Sequence, residues 1–256
     1  MRTVSRMEPI GFPPVPAARA DRRTLVEEIL VVLMLSLLAS AVGAVISLLT
    51  APVSGVSVPV GDQSPRFYLQ VIDFVFSLAP ALLVLHLARR HEGGTAALGL
   101  DGGQRPRDLA RAIVLFVVVA VGGIAIYLGA VALHVNRFVV PVPPTGHWWT
   151  IPALFLNAIS AGVVEEIIVL GYLVTRLQQL RWPPLWAVAV PALLRGTYHL
   201  YQGWGGFAGN LLMGMFFGAL FIRWRRTWPF VVAHVLLDVG AGLGYLAFRN
   251  HLPGFG

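Results

Sequence analysis

Glu165 and Glu166 lie inside the apolar run ALFLNAISAGVVEEIIVLGYLV, His199 follows LWAVAVPALLRGTY, and His234 and Asp238 lie inside WPFVVAHVLLDVGAGLGYLAF. An acid near the centre of a membrane helix costs about 2.5–3.5 kcal/mol to insert, so such residues need a partner, a pathway or chemistry to offset the cost. Carboxylates and imidazoles on separate helices suit hydrolysis. One group takes a proton from water, and others donate to the oxyanion that develops on a carbonyl. Neighbouring helix positions point about 100° apart. Glu165 and Glu166 are therefore expected to face different ways, one toward a wet cavity and the other toward a donor on a neighbouring helix. Arg195 with His199, and His234 with Asp238, are four apart and share a helical face. A carboxylate one turn from an imidazole sets its tautomer or raises its basicity.

These residues need helices to hold them, and the composition says where those helices sit. The chain is 57% hydrophobic and 12% charged over 256 residues, with a mean hydropathy of +0.74. So few charges cannot keep a soluble surface wet. A bilayer core of ~30 Å takes roughly 20 apolar residues to cross, and spans are expected near 25–49, 68–88, 110–133, 151–175, 185–202, 207–222 and 228–248. The fold class is all-α, a polytopic membrane helical bundle of seven transmembrane helices, or eight if a further half-span turns the C-terminus inward. Depth follows from 1.5 Å of rise per residue: Glu165 lies roughly 21 Å below the outer end of its span and His234 roughly 9 Å above the inner end of its own, which coincide. His199 falls nearer the outer face, unless its span is misplaced, broken or tilted near Pro191.

The formal charge of +7 raises the question of nucleic acid, and its distribution answers it. All 19 basic residues are arginine. Fifteen fall in the N-terminal tail and in the loops after the second, fourth and sixth spans; Arg66, Arg137 and Arg249 fall on the other side, and Arg195 lies within a span. Such alternation is the positive-inside pattern. The charge therefore orients a cell-membrane protein with a cytoplasmic N-terminus, and the expected partners are the lipid bilayer and a membrane peptide or protein, with no nucleic acid. Residues 1–24, rich in proline, are expected to be a disordered cytoplasmic tail, and 25–249 a transmembrane domain. The absence of cysteine excludes disulfides and thiolate metal sites. Gly214 and Gly218 form a G-x-x-x-G suited to close helix packing within the bundle. Trp148 and Trp149 are expected at the headgroups, and Arg223, Arg225 and Arg226 as an inner anchor. Asp73 is a candidate for lining a water cavity. His86, His91, His134, His147 and His251 carry no motif.

A Glu-Glu pair in one span, a His ending the next, and His-x-x-x-Asp near the C-terminus resemble the CPBP (CAAX protease and bacteriocin-processing, or Abi) family. They are similar to the EExxxR, FxxxH and HxxxN/D motifs of its type II CAAX prenyl endopeptidases. The resemblance covers about residues 150–248. It implies an intramembrane endopeptidase with Glu165 as general base helped by His199, Glu166 as supporting acid, and His234 and Asp238 stabilising the oxyanion or, in a metalloprotease reading, sharing a metal. A Zn²⁺ held by His199, His234 and Glu165 with an open water position suits such chemistry, though the spacing is not that of HExxH proteases.

The sequence departs from the pattern at Leu170, in the place of the arginine, and at Arg195, in the place of the phenylalanine. Arg195 is expected to supply the missing cation from the next helix. Three functions are compatible with these residues: an endopeptidase acting on a prenylated CAAX-type or bacteriocin-like substrate, a catalytically silent scaffold or immunity protein, and a proton-coupled transporter. Transporters commonly show paired repeats, and none is visible here.

Overall fold

The computed structural model describes residues 21–249. The tail expected over 1–24 therefore lies largely outside the described residues, and its last residues are helical. Asp21 accepts from the Thr24 amide and caps α1 (Arg22–Met34), which is followed by α2 (Leu37–Thr50). The two are bent by 51° and pass as one broken span. No proline causes the bend. The Ser36 hydroxyl donates to the Val32 carbonyl at 2.5 Å and competes with the helical ladder there. The second expected span is α3 (Phe67–Ser77) and α4 (Ala79–Arg89), with Pro80 in the first turn of α4. The long α5 (Arg105–Ala132) follows.

The centre of the molecule is one continuous helical run from Thr150 to Gln179. It comprises α6 (Thr150–Glu165), a π-helical segment (Glu166–Val174) and α7 (Thr175–Gln179). All nine residues of the π segment are buried. Ile167, Ile168, Val169, Tyr172 and Leu173 belong to a core shared with α1, α2 and α4. Leu170 and Val174 belong to a second core with Phe217, Phe221 and Phe230. Leu170 thus packs in an apolar site with three phenylalanines.

The hairpin of α8 (Pro184–Tyr198) and α9 (Trp204–Trp224) and the last helix, α10 (Trp228–Phe248), complete the bundle. An added Cβ on Gly218 would lie 2.5 Å from Val188, and one on Gly214 would lie 2.9 Å from the Ala192 backbone, so the G-x-x-x-G faces α8 inside the molecule. Among the described residues five helices can cross a membrane by length and composition, or six with the bent α1–α2 pair. The expected count of seven or eight is not confirmed: α8, the fifth expected span, has only 15 residues. Apolar side chains of α5 such as Val114, Val121 and Leu128 are exposed, as a lipid-facing surface requires. The chain is a multi-pass membrane protein.

Several arginines read as topological are structural. Arg226 is buried and paired with Asp101 and Asp108, while Thr227 donates to the Leu98 carbonyl through its hydroxyl and to the Gly99 carbonyl through its amide. These bonds fasten the 99–104 connector to the α9–α10 turn. Arg176 is buried too, 3.6 Å from Glu28 and 5.0 Å from the Tyr172 ring. His91, without a motif, is buried with Nε2 3.1 Å from both Glu28 oxygens. Trp148 is exposed as expected at a headgroup, but Trp149 is buried and stacked on His147. Parallel strands β1 (Ser57–Pro59) and β2 (Phe138–Val140) join the two loops that carry few arginines.

Candidate active site

Two local features bring the acids to the histidines. Gly162 lets α6 approach α10 closely: an added Cβ would lie 2.8 Å from Val235 and 3.2 Å from the Val231 carbonyl. The helix then widens into its π segment at Glu166, a winding often found at functional sites. On the facing side α8 runs through Pro191 unbroken and stops at Tyr198. At about 1.5 Å per residue it is too short to reach the outer surface as a full span does. The expected misplacement of His199 is thereby corrected: the helix ends early, at the depth of Glu165, instead of breaking at Pro191.

Arg195 stands at the centre, fully buried. Its Nη1 donates to Glu166 Oε1 at 2.6 Å, and its Nη2 lies 3.6 Å from Glu165 Oε2. One guanidinium therefore spans both acids. Glu166 is fully buried, and its Oε1 also lies 2.8 Å from His234 Nδ1. That oxygen already accepts from a permanent cation, so Nδ1 carries the proton and donates to it. The 3.3 Å approach of Arg195 Nη2 to the same nitrogen is then a contact between donors. His234 Nε2 is turned toward Asp238 Oδ2 at 3.5 Å.

Glu165 faces elsewhere. Its Oε2 accepts from the Tyr198 hydroxyl at 2.7 Å, and its side chain borders a cavity of about 380 Å³ lined also by Ser36, Ser40, Ser77, Pro80 and Ser160. The two acids are divided as their spacing predicts, one toward a cavity and one toward donors, but Arg195 touches both. His199 Nδ1 lies 3.0 Å from the Arg195 carbonyl, which can only accept, so Nδ1 holds the proton and Nε2 has its lone pair free.

All five expected site residues thus gather around Arg195. Tyr198 was missed; its only sequence signal is its place beside His199, and a tyrosine there reads as core. Asp73 does not line the cavity, although Ser77, one turn on, does. Among the described residues no three histidine, cysteine, aspartate or glutamate side chains are grouped to hold a metal ion.

Residues 147–240 match the family model described as Rce1-like, type II CAAX prenyl endopeptidase Rce1-like. This stretch is similar to an Rce1-like domain. The match covers less than half of the chain and supports its resemblance to the CPBP/CAAX protease family; the chain matches no curated protein and no solved structure. The matched stretch contains all five gathered residues together with Arg195 and Tyr198. The cavity wall that faces Glu165 comes from α2, α3 and α4, outside the matched stretch.

Proposed function

We propose that the protein is an intramembrane endopeptidase that hydrolyses a peptide bond of a membrane-associated substrate, with Glu165 as general base. The observation that carries this reading is the division of labour between the acids. Glu166 is sealed and bonded to Arg195 and His234, while Glu165 is held at one oxygen by Tyr198 and borders the cavity. In this reading Glu165 takes a proton from water, and the resulting hydroxide adds to the scissile carbonyl. His199 Nε2, free as an acceptor, aligns the same water. His234 in its protonated form donates through Nε2 to the oxyanion, with Asp238 holding that edge of the ring. The C–N bond then breaks as Glu165 returns its proton to the leaving amine. No step is routed through a metal.

The expected substrates are prenylated CAAX-type or bacteriocin-like peptides, met in a cell membrane by a protein whose N-terminus and 1–24 tail are cytoplasmic and whose protease core is 150–248. A second reading, a catalytically silent scaffold or immunity protein, draws on Leu170 standing where the family motif has arginine. Arg195 weakens it, since a cation reaches Glu166 from α8 instead.

The test is purified protein in detergent with a pool of peptides that includes prenylated CAAX peptides, in water enriched in ¹⁸O, with products read by mass spectrometry. Cleaved peptides carrying one solvent oxygen at the new carboxyl terminus are expected. Intact peptides after incubation with well-folded protein would favour the silent reading.

A further inference from the structure

Arg137 was counted among the arginines of the sparsely charged side, where a headgroup contact would be ordinary. Instead it is 1% exposed, and its guanidinium spends its donors on neutral acceptors. Nε donates to the Pro52 carbonyl at 2.9 Å, and Nη2 to the Ser47 and Ala51 carbonyls at 2.7 and 3.0 Å. Nη1 donates to the Ser47 hydroxyl and to the Tyr201 carbonyl, both at 2.7 Å. The first group caps the C-terminus of α2, where a cation complements the helix dipole. The bond to Tyr201 does something else: it reaches the turn that follows His199.

That turn is held at every step by the same short stretch of chain. The Arg137 amide donates to the Gln202 carbonyl at 2.8 Å, and the Trp204 amide to the Val135 carbonyl at 2.9 Å. Asn136 Oδ1 accepts from the Gly206 amide at 2.9 Å. Gly203 has φ +103°, and an added Cβ would lie 2.7 Å from the Val135 carbonyl, so only glycine lets the two segments touch. Gln202 in turn donates its amide to the His199 carbonyl at 3.0 Å. His199 is the last link: its ring packs on Tyr198 and Tyr201 with centroids 4.7 and 6.2 Å away.

We infer that Arg137 is a positioning residue for His199, fixing the 199–203 turn against the end of α2 so that the free Nε2 is presented toward Glu165. Arg137 touches none of the reacting groups and acts through the turn. The inference rests on the hydrolytic reading only for what His199 does; the placement of the ring is measured without turnover.

The test compares wild type with Arg137→Gln and Arg137→Lys in detergent. Modification of each histidine by diethyl pyrocarbonate is followed by mass spectrometry, alongside thermal unfolding. Lysine keeps the cation at the end of α2, but a single ammonium cannot serve Ser47, Ala51, Pro52 and Tyr201 together. The expected result is a severalfold faster reaction at His199 in both variants, with His91 and His234 unchanged and the lysine variant melting lower than wild type but still folded. On a peptide that the wild type cuts, kcat of the lysine variant falls about 10- to 100-fold with KM kept, as misplacement of a reacting group does.

A wild-type rate at His199 in the lysine variant would overturn the inference, and so would a common rise at all three histidines. If the glutamine variant does not fold, the lysine variant decides. A His199-specific rise in a protein that cuts no peptide would keep the inference and refute the hydrolytic reading.

Discussion

Glu166 and Arg195 are both sealed from solvent, and a guanidinium does not shed its charge, so each is tolerated because of the other. Replacing Arg195 by leucine leaves Glu166 without its cation. Such a change is expected to cost about 3–5 kcal/mol of stability, measured by denaturant unfolding in detergent. The reversal pair Arg195→Glu with Glu166→Arg is expected to recover part of that loss; a double variant no better than either single change would contradict the pairing. Tyr198→Phe removes one hydrogen bond to Glu165, so stability falls by only about 1 kcal/mol while turnover drops, read as kcat against melting temperature. At this scale much was legible. Acids and imidazoles are conspicuous in apolar runs, and the loss of a cation at 170 directs attention to Arg195. Tyr198 was not legible, because its hydroxyl matters only through where α8 ends.

Helices were legible as apolar runs, but their joints were not. Sequence leaves the span of His199 misplaced, broken or tilted near Pro191, whereas the helix passes through Pro191 and the first span bends at Ser36. A local side-chain bond to a carbonyl leaves no hydropathy signal. The same holds for Arg137, Arg176 and Arg226, which by composition belong to loops and by structure fasten elements together. Gly99 shows how tight one joint is: φ is +73°, and an added Cβ would lie 2.7 Å from the Arg225 carbonyl. Gly99→Ala is therefore expected to destabilise by at least the ~1–2 kcal/mol of a left-handed residue, with the melting temperature lowered accordingly.

The neighbouring Asp101 gives this joint a pH dependence. The Gly103 amide and then Arg226 stabilise its carboxylate and hold its pKa below the ordinary value of 3.8. A depressed carboxylate contributes stability that is complete above the unfolded value and is lost as pH falls through the lower folded one. Faster hydrogen exchange across 99–108 is thus expected only below about pH 4, and it is small because Asp101 is half exposed.

At the scale of the whole molecule the arginine pattern predicts an orientation that the helices alone do not. The chain has no cysteine, so single-cysteine variants report on it without background. In right-side-out vesicles a membrane-impermeant maleimide is expected to label Ser54→Cys at once and Gln104→Cys only after lysis; the reverse order would overturn the orientation. The bundle was legible as a class, from composition and spans. The number of crossings was not, because α8 with 15 residues falls short of a full span, and its shortness is what brings His199 and Tyr198 to the acids.

The most direct test of the site is the rate of peptide cleavage by wild type and by Glu165→Gln, on the same peptide and at equal folded concentration. Glutamine keeps the shape and the Tyr198 contact but cannot take a proton from water. The account predicts a loss of about 10²–10⁴-fold in kcat with the fold retained. Cleavage by Glu165→Gln at the wild-type rate would contradict it.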